Sequence, residues 1–344
     1  MTLVCAVVAC VVFAEAQTGL PRADAPRPVA GLGTHSPARG PIGRFLTPAD
    51  TFSRRRFYAS AAAATAIYGT AATLLYKAWY EDYELGGFRT IDDSGEWLGM
   101  DKVGHVYGAY HYARWAHTGA KWTGMRDAPA LLAATGVSLL LQSTVEVMDG
   151  HSAAWGFSWH DMAANSLGTG FFVGQQLAFG EQRVQFKMSS WREDYGAASV
   201  PATRDGAPAS TLERGAEIHY GATRYERFFK DYNAQKLWLG ANPNVLLGRP
   251  AKLPWLNLAV GYSADNVFGP YGNVWDDRGN RYRADAIAPR NREFMLSLDV
   301  DLTRIPTRSP VLKTLFAMFN NLKVPAPALI YGGEDGLSWS WLYY

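Results

Sequence analysis

Ionisable and amide side chains recur at helical spacing within an otherwise apolar stretch between residues 101 and 165. Residues three or four positions apart share one face of a helix, which places Asp101 beside His105 and Glu146 beside Asp149. A carboxylate in apolar surroundings is costly unless it is paired, so these groups must either contact one another or bind a ligand. The candidate catalytic residues are therefore Asp101, His105, Glu146, Asp149, Asp161 and Asn165.

One chemistry that this set could support is divalent-metal chemistry. An imidazole together with several carboxylates suits zinc, manganese or magnesium. A bound ion of this kind activates water for attack on a phosphoester or an amide. The sequence has no H-x-x-x-H or H-E-x-x-H spacing, no phosphate-binding loop and no nucleophile elbow, so it leaves open whether the protein is an enzyme. The predicted metal ligands are His105, Glu146, Asp149 and Asp161.

The same residues also have a structural interpretation, which the sequence favours. Glu146 ends a long apolar run and shares a face with Gln142, so it could form an internal ion pair with His105 or Lys102 that fixes the register of the helices. Ser158-x-x-Asp161 has the spacing of a capping box, and Asp101 could be the N-cap of its own helix. In this interpretation the polar residues hold the fold together.

Four helices are expected to position these residues. Three uncharged runs, residues 57–76, 128–145 and 162–180, are long enough either to cross a membrane or to be fully buried, and a more amphipathic helix begins near Asp101. Gly104-x-x-x-Gly108 and Ala164-x-x-x-Gly168 would let helices approach closely. The sequence predicts a bundle of about four apolar helices over residues 55–180.

The N-terminus has the features of an export signal. Residues 3–14 are apolar and end before Ala14-Glu15-Ala16, so residues 1–16 are predicted to be a cleaved signal peptide. Two alternatives stay open, namely lipidation of Cys10 and an uncleaved membrane anchor. Residues 17–53, rich in Pro, Gly and Ala, are predicted to be a disordered linker.

The second half of the chain differs in composition. A linker is predicted at residues 194–214, between a helical domain 54–193 and a β-rich domain 215–344, which makes the fold class α+β. Residues 311–322 would form a basic amphipathic helix lying on a membrane or on the sheet. The C-terminal alternation that ends in Tyr344 is similar to the last strand of outer-membrane barrels. Strands are predicted at residues 236–239, 255–262, 293–302 and 337–343.

The motif order D-K-x-x-H, E-x-x-D and G-x-S-W-x-D between Asp101 and Gly168 resembles that of the YfiM-type bacterial envelope lipoproteins, over about residues 95–180. It is more distantly similar to the VanZ-like membrane family, although Glu146-x-x-Asp149 stands where a Glu-x-x-Gln pair is expected. Neither resemblance implies an established reaction. Both imply an exported, membrane-associated protein.

Three functions follow as hypotheses. The leading one is an envelope protein on the periplasmic side, structural or binding in role, whose partners are the membrane and other envelope proteins. The alternatives are a metal-dependent hydrolase acting on a lipid-linked or cell-wall substrate, and an outer-membrane barrel-like protein with a helical periplasmic module. A formal net charge of only +2 argues against nucleic acid as a partner.

Overall fold

The computed structural model describes residues 40–79, 84–191, 193–332 and 336–344. Its first half is helical, as the apolar runs predict, with two short strands, β1 (Thr90–Ile91) and β2 (Phe157–Ser158), paired in parallel. The helices are α1 (Pro41–Phe45), α2 (Arg54–Trp79), α3 (Met100–Trp122), α4 (Asp127–His151) and α5 (Trp159–Phe179).

Helices α3, α4 and α5 pack tightly on one another, whereas α2 touches α3 only lightly and is largely exposed. The closest approach is at Gly168, where an added Cβ would lie 2.2 Å from the carbonyl oxygen of Val106. The prediction of close approach is therefore correct for Ala164-x-x-x-Gly168. It is wrong for Gly104, whose Cβ position has no neighbour within 4 Å. Three helices, rather than four, form the packed unit.

The second half of the fold is dominated by a six-stranded antiparallel sheet. Its strands are β3 (Val184–Ser190), β6 (Gln235–Ala241), β7 (Leu256–Asp265), β10 (Asn291–Val300), β11 (Ala326–Gly332) and β12 (Gly336–Tyr343). Their order in the sheet is β12-β11-β10-β7-β6-β3. All four predicted strands belong to it, and β3 and β11 are additional.

Smaller elements surround the sheet. The predicted linker 194–214 contains β4 (Ser199–Val200) paired with β5 (Ser210–Thr211), and β8 (Val274–Asp277) pairs with β9 (Asn280–Arg283). Helices also occur in the part predicted to be β-rich, because Thr211 and Thr223 cap two of them through backbone amides. These helices are α6 (Leu212–Tyr220), α7 (Arg224–Lys230), α8 (Pro243–Leu246) and α9 (Pro310–Phe319).

One hydrophobic core joins the two halves of the chain. Tyr110 and Phe172 from the helices pack in the same buried cluster as Phe186 and Leu237 from the sheet and Trp275 from the β8–β9 hairpin. Strand β3 lies before the predicted boundary at 194–214, within the region assigned to the helical domain. The division into domains 54–193 and 215–344 stays a prediction about independent folding, while the packing shows a shared core.

The predicted signal peptide, residues 1–16, and the linker up to residue 39 lie outside the described residues. Residues 40–53, which were also assigned to the disordered linker, instead contain α1 and bind the end of α3. The amide of Ser53 donates to the carbonyl of Thr123 over 2.8 Å, and the indole of Trp122 donates to the carbonyl of Phe45. Backbone capping of a helix end thus orders this part of the segment.

Among the described residues, α4 is the helix whose length and composition would allow it to cross a membrane. Core helices of soluble proteins have the same length and composition. The inward face of α4 carries small and polar residues at four-residue spacing: Ala130, Ala134, Ser138, Gln142, Glu146 and Gly150. Its outward face is aliphatic, with Leu132, Val137 and Val147 exposed.

Candidate functional site

Lys102, near the start of α3, is the centre of the predicted cluster. Its ammonium nitrogen lies 2.5 Å from Asp93 Oδ2, 2.7 Å from Asp101 Oδ2 and 2.7 Å from Asp161 Oδ1. Burial alone would lower the pKa of Lys102, but the charge and hydrogen bonds of these carboxylates raise it above its usual value. Lys102 is therefore a fixed internal cation shared by three acidic groups.

His105 follows one turn later on the same helix and faces two sets of partners. Its Nε2 lies 3.7 Å from Asp101 Oδ1 and 3.6 Å from Asp161 Oδ1. On the other side of the ring, Nδ1 lies 3.1 Å from Asn165 Oδ1 and 3.6 Å from Glu146 Oε1. Helices α3, α4 and α5 thus converge on this imidazole, as the helical spacing predicts.

The inner end of the cluster is sealed from solvent. Glu146 is 1% exposed and Asn165 0%, and Gln142 Nε2 donates to Asn165 Oδ1 over 2.5 Å. Within the described part of the chain, Glu146 Oε1 and Asn165 Nδ2 are buried atoms with no hydrogen-bond partner. Burial, together with the charge of Asp149, raises the pKa of Glu146 to about 8.

Asp161 combines a capping role with a place in the cluster. The hydroxyl of Ser158 accepts a hydrogen bond from the Asp161 amide at the N-terminus of α5, so this part of the capping-box prediction is confirmed. The Asp161 carboxyl instead faces Lys102 and His105. Burial and the charge of Asp101 raise its pKa to about 8.

Two members of the cluster were not predicted from the sequence. Asp93 is 3% exposed, accepts from Ser158 Oγ over 2.6 Å and contacts Lys102. Burial opposes its ionisation, but hydrogen bonds involving Asp161, Lys102 and Ser158 lower its pKa to about 2. In the sequence, Asp93 stands between Asp92 and Ser94-Gly95, and this composition predicts only a turn. The other member, Tyr232, comes from the second half of the chain and donates to Asp101 Oδ1 over 2.9 Å.

The remaining predicted residues lie as follows. Asp101 is in the first turn of α3 but is not its N-cap, because the helix begins at Met100 after a left-handed Gly99. Asp149, on the last turn of α4, acts on Glu146 through its charge. Asp101, His105 and Asp161 offer three ligand atoms that all lie within 4.8 Å of one another.

This arrangement supports two kinds of chemistry. A cation can be held between Asp101, His105 and Asp161, and in the described structure Lys102 supplies one at that point. The cluster also contains carboxyls with raised pKa values next to an imidazole, which is the composition of many acid–base sites. The outer residues Asp101, Lys102 and His105 have side chains 17–20% exposed, so the cluster opens to solvent on that side.

The cluster lies in the part of the chain that matches a known family model. No curated protein and no solved structure matches the chain. Residues 86–175, about a quarter of the 344 residues, match the family model described as "Predicted periplasmic lipoprotein (DUF2279)". Every cluster residue named above except Tyr232 lies inside this segment. The lipoprotein resemblance inferred from the motifs is confirmed at this level, and the likeness to YfiM-type and VanZ-like proteins stays a prediction.

Proposed function

We propose that this chain is an exported envelope protein, membrane-associated on the periplasmic side, in which the Lys102 cluster is a charge network that holds the fold together. The observation that carries the structural role is the position of Lys102 Nζ, within 2.7 Å of three carboxylates where a bound cation would otherwise sit. The family match to predicted periplasmic lipoproteins supports the location. Other envelope proteins are the proposed partners, besides the membrane.

The distribution of polarity supports membrane association. On α4 the buried positions include Ser138, Gln142 and Glu146, whereas Leu132 and Val147 are exposed. On α5 Asn165 and Thr169 are buried while Leu167 and Leu177 are exposed. A helix in water has the opposite pattern. Polar residues facing inward and aliphatic residues facing outward are typical of helices whose outer surface meets lipid.

The test of the charge network is the Lys102→Met variant of the full chain, purified in mild detergent. Removing the ammonium leaves Asp93, Asp101 and Asp161 facing one another, so we expect a loss of about 2–3 kcal/mol in the free energy of unfolding. Lys121→Met is the matched control, because Lys121 pairs with the exposed Asp127 and such surface pairs contribute at most about 1 kcal/mol. Equal effects of the two variants would contradict the proposal.

A metal-dependent hydrolase acting on a lipid-linked or cell-wall substrate is the second candidate. The observation that favours it is the set of ligand atoms on Asp101, His105 and Asp161, with the buried Glu146 carboxyl beside them. A divalent ion there would have to displace Lys102. About one equivalent of zinc, manganese or magnesium in the purified protein, lost in a folded His105→Ala variant, would show that the cluster is a metal site. That result would favour the hydrolase and reject the purely structural role.

The outer membrane is a third alternative, in which the sheet would be barrel-like and the helices a periplasmic module. The apolar outward side of the sheet favours it, although the described sheet is open, with β12 and β3 at its edges. Separation of inner and outer membranes on a density gradient, followed by immunodetection of the full chain, would distinguish the two membranes.

A further inference from the structure

The side of the sheet that packs on the helices through Phe186 and Leu237 continues, beyond them, as a row of exposed apolar side chains across five strands. Strand register aligns Leu239 with Val260, Val260 with Leu296, Leu296 with Leu329 and Leu329 with Trp339. All five are exposed, between 36% and 54%. We call this row and the rows on either side of it the outer face.

The rows on either side are also uncharged. Leu258 pairs with Leu298 on one side, and Phe294 pairs with Tyr331 on the other, and all four are exposed. An exposed face of this size is well beyond the scattered surface hydrophobics of a soluble protein. It therefore requires an apolar partner.

The opposite side of the sheet is buried and mixed in character. Trp238, Met295 and Ile330 form a small apolar cluster there. Beside them Lys187 and Asp299 pair at 2.8 Å with side chains 1% exposed, and Asn257, Ser263 and Ser297 are also buried. Antiparallel sheets of soluble proteins hydrate their polar side. Here polar side chains are buried while an apolar side is exposed, as in sheets whose outer surface faces lipid.

The length of the outer face along the strands indicates how deep a layer of lipid it could contact. From Phe294 to Leu298 the apolar positions span four residue steps, or about 14 Å at ~3.4 Å per residue. The hydrocarbon core of a bilayer is about 30 Å thick, and spanning barrels carry an apolar band of about 25 Å. The outer face is therefore tall enough for one leaflet only.

The border of the face has the residues expected at a lipid headgroup layer. Arg292, exposed and two residues before Phe294, lies on the same side of β10 and offers a guanidinium to phosphate. Helix α9, beyond the other end of β10, exposes Leu315, Met318 and Phe319, which extend the apolar surface there.

We propose that the outer face inserts into the acyl-chain region of a single leaflet of a phospholipid bilayer, so that the sheet is monotopic. This inference rests on the membrane association proposed above and adds the surface that makes the contact. It differs from the barrel alternative, because a leaflet-deep sheet does not cross the membrane.

The test uses the full chain with Cys5→Ser and Cys10→Ser, which removes any lipid attached at Cys10 as a cause of binding. Vesicles of phosphatidylethanolamine and phosphatidylglycerol are floated with the protein, and the bound fraction is measured. Leu296→Asp should weaken binding about tenfold or more, because a carboxylate cannot enter the acyl region. Ile287→Asp is the matched control, since Ile287 is also 42% exposed but lies outside the sheet, and it should bind like the parent protein.

A second measurement does not depend on the folding of the Asp variant. In the same background the introduced cysteine of Leu296→Cys is labelled with an environment-sensitive fluorophore. We expect a blue shift on vesicle binding and quenching by lipids brominated on the acyl chains, with neither effect at Ile287→Cys. Both cysteine substitutions replace an exposed side chain with an uncharged one, so they leave the core intact.

The outcomes separate this inference from the function on which it rests. If the parent protein floats with vesicles but Leu296→Asp floats equally well and the Leu296→Cys label does not shift, the outer face is not the lipid contact, while membrane association stands. If Leu296→Asp instead turns a dimer into a monomer without changing flotation, a second copy covers the face and the inference is overturned. If the parent protein is found neither on vesicles nor in the cell membrane fraction, the proposed function fails as well.

Discussion

Two ion-paired lysines, one in the helices and one in the sheet, show different uses of a charge within the fold. Lys187 in the sheet contacts Asp299, and both side chains are 1% exposed. Lys102 in the helices contacts three carboxylates and its side chain is 17% exposed. The helical cluster therefore has more acidic groups than cations and a side open to solvent, whereas the sheet pair is closed. A ligand from solvent could therefore reach the helical cluster but not the sheet pair.

The closed pair should be the most sensitive point of the molecule. Asp299→Ala would leave Lys187 without the carboxylate that it contacts, next to Lys323, whose pKa burial lowers to about 8. Loss of one member of a buried pair costs about 3–5 kcal/mol. We expect this loss in urea unfolding of the detergent-purified protein.

A double variant separates the cost of an unpaired charge from the cost of lost packing. Lys187→Met with Asp299→Leu removes both charges, and apolar replacement of a buried pair is often neutral. The double variant should therefore be more stable than Asp299→Ala. If Asp299→Ala alone loses less than about 1 kcal/mol, the sheet pair is not the structural element described above.

The open cluster depends on close packing of α5 against α3, which Gly168→Ala should disturb. The new Cβ would lie 2.2 Å from the carbonyl oxygen of Val106, so α5 must move away from α3. This movement would increase the distances from Asp161 and Asn165 to His105. Overpacking of this kind costs about 1–3 kcal/mol. Gly170→Ala on the same helix has no neighbour within 4 Å and should be neutral or stabilising by up to about 1 kcal/mol. Similar unfolding curves for the two variants would show that the helices are not held at this contact.

Much of the helical cluster could be predicted from the sequence because its signals are local. The spacing of Asp101 and His105 depends only on the period of one helix, and the apolar runs locate α4 and α5. The resulting set also includes Glu146, Asp161 and Asn165. The structure brings these three and Asp101 close to His105 or Lys102, while Asp149 acts on Glu146 through its charge. Asp93 and Tyr232 could not be predicted in this way, because they precede and follow these helices and reach the cluster only through tertiary packing.

The sheet also could be predicted only in part. The alternation of apolar and polar residues predicts the positions of β6, β7, β10 and β12, but it does not show which side of a strand is buried. The usual assumption that apolar side chains point inward would have placed Leu296 in the core and Ser297 outside, whereas the structure has the reverse. The lysine in the sheet is therefore harder to predict than the one in the helices, since Lys187 and Asp299 are 112 residues apart on strands that are not neighbours in the sheet.

The smallest expected effect concerns the response of the open cluster to pH. The pKa of Glu146 is raised by burial to about 8, from an ordinary value of 4.5, so the folded protein holds a proton that the unfolded chain releases. Stability from this group is present below about pH 4.5 and is lost as pH rises toward 8. Glu146→Gln mimics the protonated form, so the variant and the parent should be equally stable near pH 5. At pH 8 the variant should be the more stable of the two, because glutamine needs neither a bound proton nor a buried charge.

Comparing the variant with the parent at each pH cancels the titration of other groups, including His111, whose pKa is lowered by burial to about 3. Glu226→Gln is the control, because Glu226 lies in an exposed capping box whose hydrogen bonds lower its pKa, and glutamine serves the same capping role. Its stability difference from the parent should stay nearly constant between pH 5 and 8. A constant difference for Glu146→Gln as well would mean that Glu146 is ionised in the folded protein, and that the open cluster is as completely charge-paired as the closed one.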